Sequence, residues 1–204
     1  GTHLQRQFQP LLESTVAIRQ LGEALEWLPT DELTIGLEHF ADAEVRRPAQ
    51  DDPVETIELM VEMVDGATEH RALTHLVPPA LLAEAILDGV ESGRLRAEGV
   101  LTAESIDFLR TTSERRARWE SILEAGGSGL YRYEGTIPCN LWIIDEYTLI
   151  KKSGPESFAA AYGVPIVSQN ETVHSWANQL IDTYRAEATL LESGYFADDT
   201  PSTG

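Results

Sequence analysis

The stretch 72-ALTHLVPPALLAEAILDGVESGRLRAEGVL-101 decides the fold. Ala72–Val77 is a short apolar run stopped by Pro78 and Pro79, which reads as a strand. From Ala80 the period changes. Leu81, Leu82, Ala85, Ile86 and Val90 recur at helical spacing until the chain is released near Gly93. Leu95–Leu101 then alternates as a strand does. This strand–helix–strand unit sets the chain in the α/β class.

Outward from it, the same reasoning places the remaining elements. Thr102 stands as the cap of a helix with Glu104 and Ser105 in its first turn, running toward Leu109. A second, arginine-rich helix reaches Leu123, and Gly126, Gly127 and Gly129 form a turn. Leu130–Glu134, Asn140–Asp145 and Thr148–Lys151 read as three successive strands. Glu134-Gly135 and Asp145-Glu146 are short enough for antiparallel hairpins between them. A helical turn at Phe158–Tyr162, a last strand at Val164–Ser168 and a helix from Val173 to about Leu191, capped by Asn170 with Thr172, complete the pattern. The expectation for residues 71–192 is one mixed sheet: βαβα, then a β-meander and a C-terminal helix. The polar tail, residues 193–204, is expected to be disordered.

Before the β-α-β unit lie two helical regions. Residues 1–29 read as a helix in which Leu4, Leu11, Ile18 and Leu25 recur every heptad, with Leu21 and Leu28 on the second seam position. Gln7 and Ser14 leave the earlier seam positions polar, and Phe8, Leu12 and Val16 form a flanking stripe. Two readings follow: a coiled-coil seam joining two copies, or a wide amphipathic face packed on its own domain. Residues 30–70 form a helical bridge. It holds a short helix at Thr34–Phe40, an extended piece, and a helix capped by Asp51, Asp52 and Pro53. That helix carries Val54, Ile57, Met60, Val61 and Val64 and ends at Gly66.

Charge narrows the classes of function. Thirty-four acidic residues face thirteen arginines and only two lysines, Lys151 and Lys152, for a net charge of -19. Such self-repulsion is screened in multimolar salt, where the Debye length falls to about 3 Å. Arginine in place of lysine with excess acid reads as adaptation to a salt-rich cytoplasm. Phosphate neutralisation needs clustered basic residues, and the one basic cluster does not qualify. Arg110, Arg115, Arg116 and Arg118 alternate with Glu104, Asp107, Glu114 and Glu120, a salt-bridged helix face. No apolar run reaches the roughly 18 residues of a membrane span, and no signal-peptide pattern opens the chain. Cys139 is the sole cysteine, so neither an internal disulfide nor a thiolate metal cluster is expected. The compartment expected is the cytoplasm.

No catalytic motif emerges, and no cofactor is expected. The glycines at 126–129 follow a helix and precede a strand, the reverse of a phosphate-binding loop. No G-x-S-x-G elbow and no HExxH pair occur. His70 and His75 lie across a helix–strand junction and are a weak metal pair. Cys139 lacks a neighbouring base and reads as a small buried residue. What remains is a ligand surface. His75 falls near the carboxyl end of the first strand, where open α/β sheets bind ligands. Thr102 ends the next strand. Tyr131 and Tyr133 share one face of a strand, and Trp142 lies on its expected hairpin partner. His75 is either a ligand residue or a satisfied, half-buried histidine. The aromatic trio either lines an effector pocket or fills the sheet core.

Three segments carry a family resemblance: Leu21–Val45 (LGEALEWLPTDELTIGLEHFADAEV), Leu130–Ile144 (LYRYEGTIPCNLWII) and Ser175–Leu191 (SWANQLIDTYRAEATLL). They resemble the region that follows the DNA-binding domain in haloarchaeal winged helix-turn-helix transcriptional regulators. The order of elements is also similar to the regulatory domain of TrmB-type regulators, itself like half of a phospholipase-D-like fold. The resemblance implies a linker helix followed by an α/β regulatory domain that senses a small-molecule effector and forms a homodimer. DNA would be met only through a separate winged-helix domain absent from this chain. The His-x-Lys signature of phospholipase D does not occur, since His75 is followed by Leu76 and Val77. Two rival expectations stand: a protein-interaction module without a small-molecule ligand, and a degenerate phospholipase-D-like hydrolase.

Overall fold

The computed structural model describes residues 2–46, 54–153 and 165–197, the side chains of residues 2–7 excepted. Helix α1 spans Thr2–Leu21 and passes through Pro10. It does not continue to Leu28 as the heptads suggest. Gly22 takes a positive φ of 52°, and the chain tightens into a 3-10 turn over Gly22–Glu26. The helix expected at Thr34–Phe40 is only a 3-10 turn, Leu37–Phe40, and Glu44–Val45 forms strand β1. Helix α2 is Glu55–Gly66. The capping residues proposed for it, Asp51 to Pro53, lie outside the described residues, as do the turn at Phe158–Tyr162 and the tail from Asp198.

The β-α-β unit forms as read, with shifted edges. Strand β2 is Glu69–Thr74, helix α3 is Ala80–Glu91 and strand β3 is Arg96–Thr102. Strand β2 ends before His75 because the Thr74 hydroxyl accepts a hydrogen bond from the Leu76 amide at 2.9 Å, turning the chain ahead of the prolines. Helices α4 (Ala103–Leu109) and α5 (Ser113–Glu124) lead to strand β4 (Ser128–Tyr133). Two successive glycines with φ near 70°, Gly126 and Gly127, make that last turn. Strands β5 (Cys139–Ile144), β6 (Tyr147–Lys152) and β7 (Ile166–Ser168) follow, then helix α6 (Glu171–Ala186) and strand β8 (Thr189–Leu191).

The described strands make one mixed sheet in the order β1-β7-β6-β5-β2-β3-β4-β8. Strands β2, β3 and β4 are parallel, and the remaining pairs are antiparallel. Two expectations are corrected here. Strands β4 and β5 are not a hairpin: β4 pairs with β3, β5 pairs with β2, and β2 and β3 separate them. The cause is the α4–α5 crossover, long enough to carry the chain over the sheet and deliver β4 parallel to β3. The meander is therefore β5-β6-β7 alone. The closing helix also stops at Ala186 rather than Leu191, and Thr189–Leu191 covers the outer edge of β4.

Both faces of the sheet are covered. On one, Met60, Val64, Leu82, Ile86, Trp119 and Ile122 from α2, α3 and α5 pack on Ala72, Leu101, Leu130, Trp142 and Leu149. On the other, Val173, Trp176, Leu180 and Ile181 of α6 meet Leu73, Val100, Leu141 and Ile150. Leu21, Leu28 and Phe40 of the amino-terminal region join this second layer. Strand β5, buried at every position, is central for this reason. Asp145, in the β5–β6 turn with φ 48°, pins that turn to the start of β2. Its Oδ1 accepts from the Thr68 amide and hydroxyl and from the Glu69 amide, at 2.9–3.0 Å.

Candidate functional site

The parallel strands β2 and β3 end side by side, and a cleft of about 760 Å³ opens beyond them. Its floor is held by one buried amide. Asn140 is fully buried on β5. Its Oδ1 accepts from the Thr74 hydroxyl at 2.8 Å and from the His75 amide at 3.0 Å. Its Nδ2 donates to the Lys152 carbonyl at 2.9 Å. An unpaired amide at this depth would cost several kcal/mol, so these bonds dictate how β2, β5 and β6 finish.

From that floor rise the polar walls. His75 Nδ1 lies 3.3 Å from Ser153 Oγ. Ser105 donates to the His75 carbonyl at 2.5 Å and lies 3.0 Å from the Thr102 hydroxyl. Thr102 sits at the amino end of α4, but its side chain engages Ser105 rather than capping a backbone amide. Glu104, Glu134 and Thr136 line the mouth, and Leu76, Val77, Phe108 and Ile137 supply the apolar side. Phe108 stays 46% exposed, with the Arg115 guanidinium 4.3 Å over its ring.

Of the five ligand residues expected from sequence, His75 and Thr102 meet in this cleft. The aromatic three do not. Tyr133 is half-buried in the layer under α6, its ring edge-on to Tyr184 at 5.1 Å. Tyr131 shares that face and borders a separate groove of about 400 Å³ near the start of β2 and β3. Trp142 is 5% exposed in the opposite layer, beside a small cavity of about 40 Å³. The cleft residues that sequence reasoning missed are Ser105, Glu134, Phe108 and Ser153, together with Asn140, which is buried behind the lining and holds the His75 amide. Only Asn140 left a trace, as the one strongly polar residue inside the apolar run Cys139–Ile144.

Tyr131's groove contains an ionic network. Arg71, 9% exposed, reaches Glu98 at 2.5 Å, Asp182 at 2.7 Å and the Asn178 carbonyl oxygen at 2.5 Å. Arg185 joins Glu98 at 2.8 Å and Asp182 at 3.2 Å. The network ties α6 to β2 and β3, and the charges within it balance. His70 and Cys139 show what burial does to isolated groups. Burial lowers the His70 imidazole to about 4, and its Nε2 has no partner. The Cys139 thiol is pushed up to about 12 by burial and then by the Glu32 charge, which makes it a poor nucleophile. Among the described residues, no three His, Cys, Asp or Glu side chains are placed to share a metal ion. No described helix is long and apolar enough to cross a membrane.

The heptad residues at and beyond the end of α1 turn inward. Leu21 and Leu28 are 1% and 4% exposed in the chain's own core, and Leu25 is partly buried there. Leu11 and Ile18 are 63% and 48% exposed, and Phe8, Leu12 and Val16 are exposed with them.

The mixed α/β fold has counterparts among solved structures. Nuc, a phospholipase D family member from Salmonella typhimurium, is 13% identical over 74% of this chain and 98% of its own (TM-score 0.54). The phosphatidylserine synthase of Haemophilus influenzae Rd KW20 is 13% identical over 74% of this chain and 40% of its own (TM-score 0.53). TrmBL2, an archaeal chromatin protein with a novel mode of DNA binding, is 15% identical over 91% of this chain and 66% of its own (TM-score 0.52). At these identities the likeness is one of fold: an α/β domain like those of TrmBL2 and the phospholipase D family member, preceded here by a helix. No curated protein matches the sequence. Residues 53–187 match the middle domain of the methanogenesis regulatory protein FilR1, and the chain belongs to that family.

Proposed function

We propose that this chain is the effector-sensing and dimerisation domain of an archaeal transcription regulator. DNA is contacted through a separate winged-helix domain. The family of regulatory middle domains and the TrmBL2-like fold support the regulatory role. The observation that carries effector sensing is the cleft, whose floor Asn140 builds and whose walls are His75, Thr102 and Ser105. A ligand there touches β2, β3 and α4 together. It shifts the domain between arrangements by as much as it prefers one of them. The exposed stripe of α1 is the dimer seam, a second copy covering Leu11, Leu12 and Ile18. The acidic, lysine-poor surface suits a salt-rich cytoplasm.

A metabolite panel tests the reading by thermal melting in multimolar KCl, on the native chain and on Thr136→Trp, which fills the cleft mouth. A ligand at 100 times its Kd stabilises the fold by about 2.7 kcal/mol, a rise of several degrees. Compounds that raise the native Tm and leave Thr136→Trp unmoved support an effector site. A panel without any such compound favours an interaction module that binds no small molecule.

A further inference from the structure

Granting that the cleft is the effector site, its chemistry limits the effector. We infer that it takes a partly apolar organic molecule with a neutral or cationic head, an amine above all, and rejects anions. None of the described residues lining the cleft is a lysine or arginine. The sequence from Gly154 to Val164 holds none either. Two carboxylates, Glu104 and Glu134, stand at the mouth. Two guanidinium groups border the lining without belonging to it: Arg115 stacks on the Phe108 ring at 4.3 Å, and Arg132 is engaged by Glu134 at 2.6 Å, Asp107 at 2.7 Å and the Ala103 carbonyl at 3.2 Å. Two carboxylates, Glu134 and Asp107, thus share this last cation, and Glu104 is not among its partners.

Anion recognition needs a fixed guanidinium or a helix end with uncompensated charge facing the ligand, and the described lining holds no guanidinium. Helix α4 does open at the cleft, but Glu104 occupies its first turn and answers its dipole. The opposite wall asks for apolar substance: Leu76, Val77, Phe108 and Ile137. The hydroxyl residues Ser153 and Thr136 also line the cleft. An ammonium group at the carboxylates with an aromatic or aliphatic body against Phe108 satisfies both sides.

Three probes with one apolar body separate the possibilities: 2-phenylethylamine, 2-phenylethanol and 3-phenylpropionate. They are titrated at pH 8, where an ordinary histidine is neutral, and binding is followed by the NMR shifts of the His75, Leu76 and Ser105 amides. The amine is expected to bind tightest and the carboxylate about tenfold or more weaker. Glu104→Gln with Glu134→Gln, both at exposed positions, narrows that gap and leaves the alcohol unchanged. Lowering the salt as far as the fold allows widens it. A carboxylate that binds as well as the amine overturns the inference and leaves the effector site standing. So does a gap that persists in the double variant, or amine shifts that map outside the cleft. If none of the three probes moves these amides, the effector reading of the cleft falls, and the inference with it.

Discussion

Asn140 Oδ1 accepts a hydrogen bond of 3.0 Å from the backbone amide of His75, and this bond joins the core of the sheet to the cleft. The same amide group holds the Thr74 hydroxyl and the Lys152 carbonyl. Asn140→Leu keeps the volume and strands all three partners. Each buried group left unpaired costs about 1–3 kcal/mol, so a loss of at least roughly 2 kcal/mol in urea unfolding is expected. Hydrogen exchange at the His75 amide should accelerate beyond that global change. A stability within about 0.5 kcal/mol of the native chain would show that the amide does not organise the strand ends.

Acid should unfold this protein in part through His70. Its imidazole titrates near 6.5 when unfolded and near 4 when folded, because burial disfavours the charged form. Between these values the unfolded state binds the extra proton. Stability is therefore full above pH 6.5 and falls as pH drops toward 4. The loss is about 3 kcal/mol. His70→Leu should flatten the stability profile across that window, measured by urea midpoints in concentrated KCl. An unchanged slope would place the acid sensitivity elsewhere.

The bonds from Arg71 to Glu98 and Asp182 differ in worth. Glu98 is 20% exposed and Asp182 is 51% exposed. Water screens the second pair more strongly. Double-mutant cycles with Arg71→Met should give a coupling of about 2 kcal/mol with Glu98→Gln. With Asp182→Asn the coupling should stay under about 1 kcal/mol. Arg71→Lys should not restore the native stability, since one ammonium cannot reach both carboxylates and Asn178. Equal couplings would mean that α6 is held as much by Asp182 as by Glu98.

The dimer seam is testable without harm to the core. Leu11 and Leu12 are 63% and 65% exposed, so Leu11→Glu with Leu12→Glu should leave the melting temperature of the domain nearly unchanged. Light scattering on a sizing column should show a dimer for the native chain and a monomer for the double variant. A native chain that runs as a monomer removes the seam.

Salt dependence follows from the net charge of -19. Dialysis from multimolar KCl into dilute buffer lengthens the Debye length from about 3 to about 30 Å at 0.01 M. Loss of the helical circular dichroism signal is expected, with recovery when KCl is restored. A spectrum that persists in dilute buffer would make the acidic composition unrelated to salt.

Local pattern was enough for much of this protein. The spacing from Ala72 to Leu101 yields the β-α-β unit, and the short Asp145-Glu146 connection between the strands read at Asn140–Asp145 and Thr148–Lys151 yields the β5–β6 hairpin. Asn170 is a cap, its Oδ1 accepting from the Thr172 and Val173 amides. That His75 and Thr102 share one cleft was legible because each stands at the end of a parallel strand. The aromatic cluster was not, since it rested on a hairpin that does not form. Tyr131 pairs with Val100, whereas Trp142 pairs with Ala72, one residue out of phase across β2 and β3. That single step of parity sends the two rings to opposite layers.

The amino-acid sequence by itself determined the class of fold, the kinds and order of most elements, the acid-rich surface and the kinship with regulatory domains. All of these depend on composition or on neighbours along the chain. Only the tertiary structure decided which strand lies beside which, which heptad leucines are spent in the chain's own core, and that Asn140 organises the cleft. Those facts depend on pairings between residues far apart in sequence, and no local periodicity encodes them.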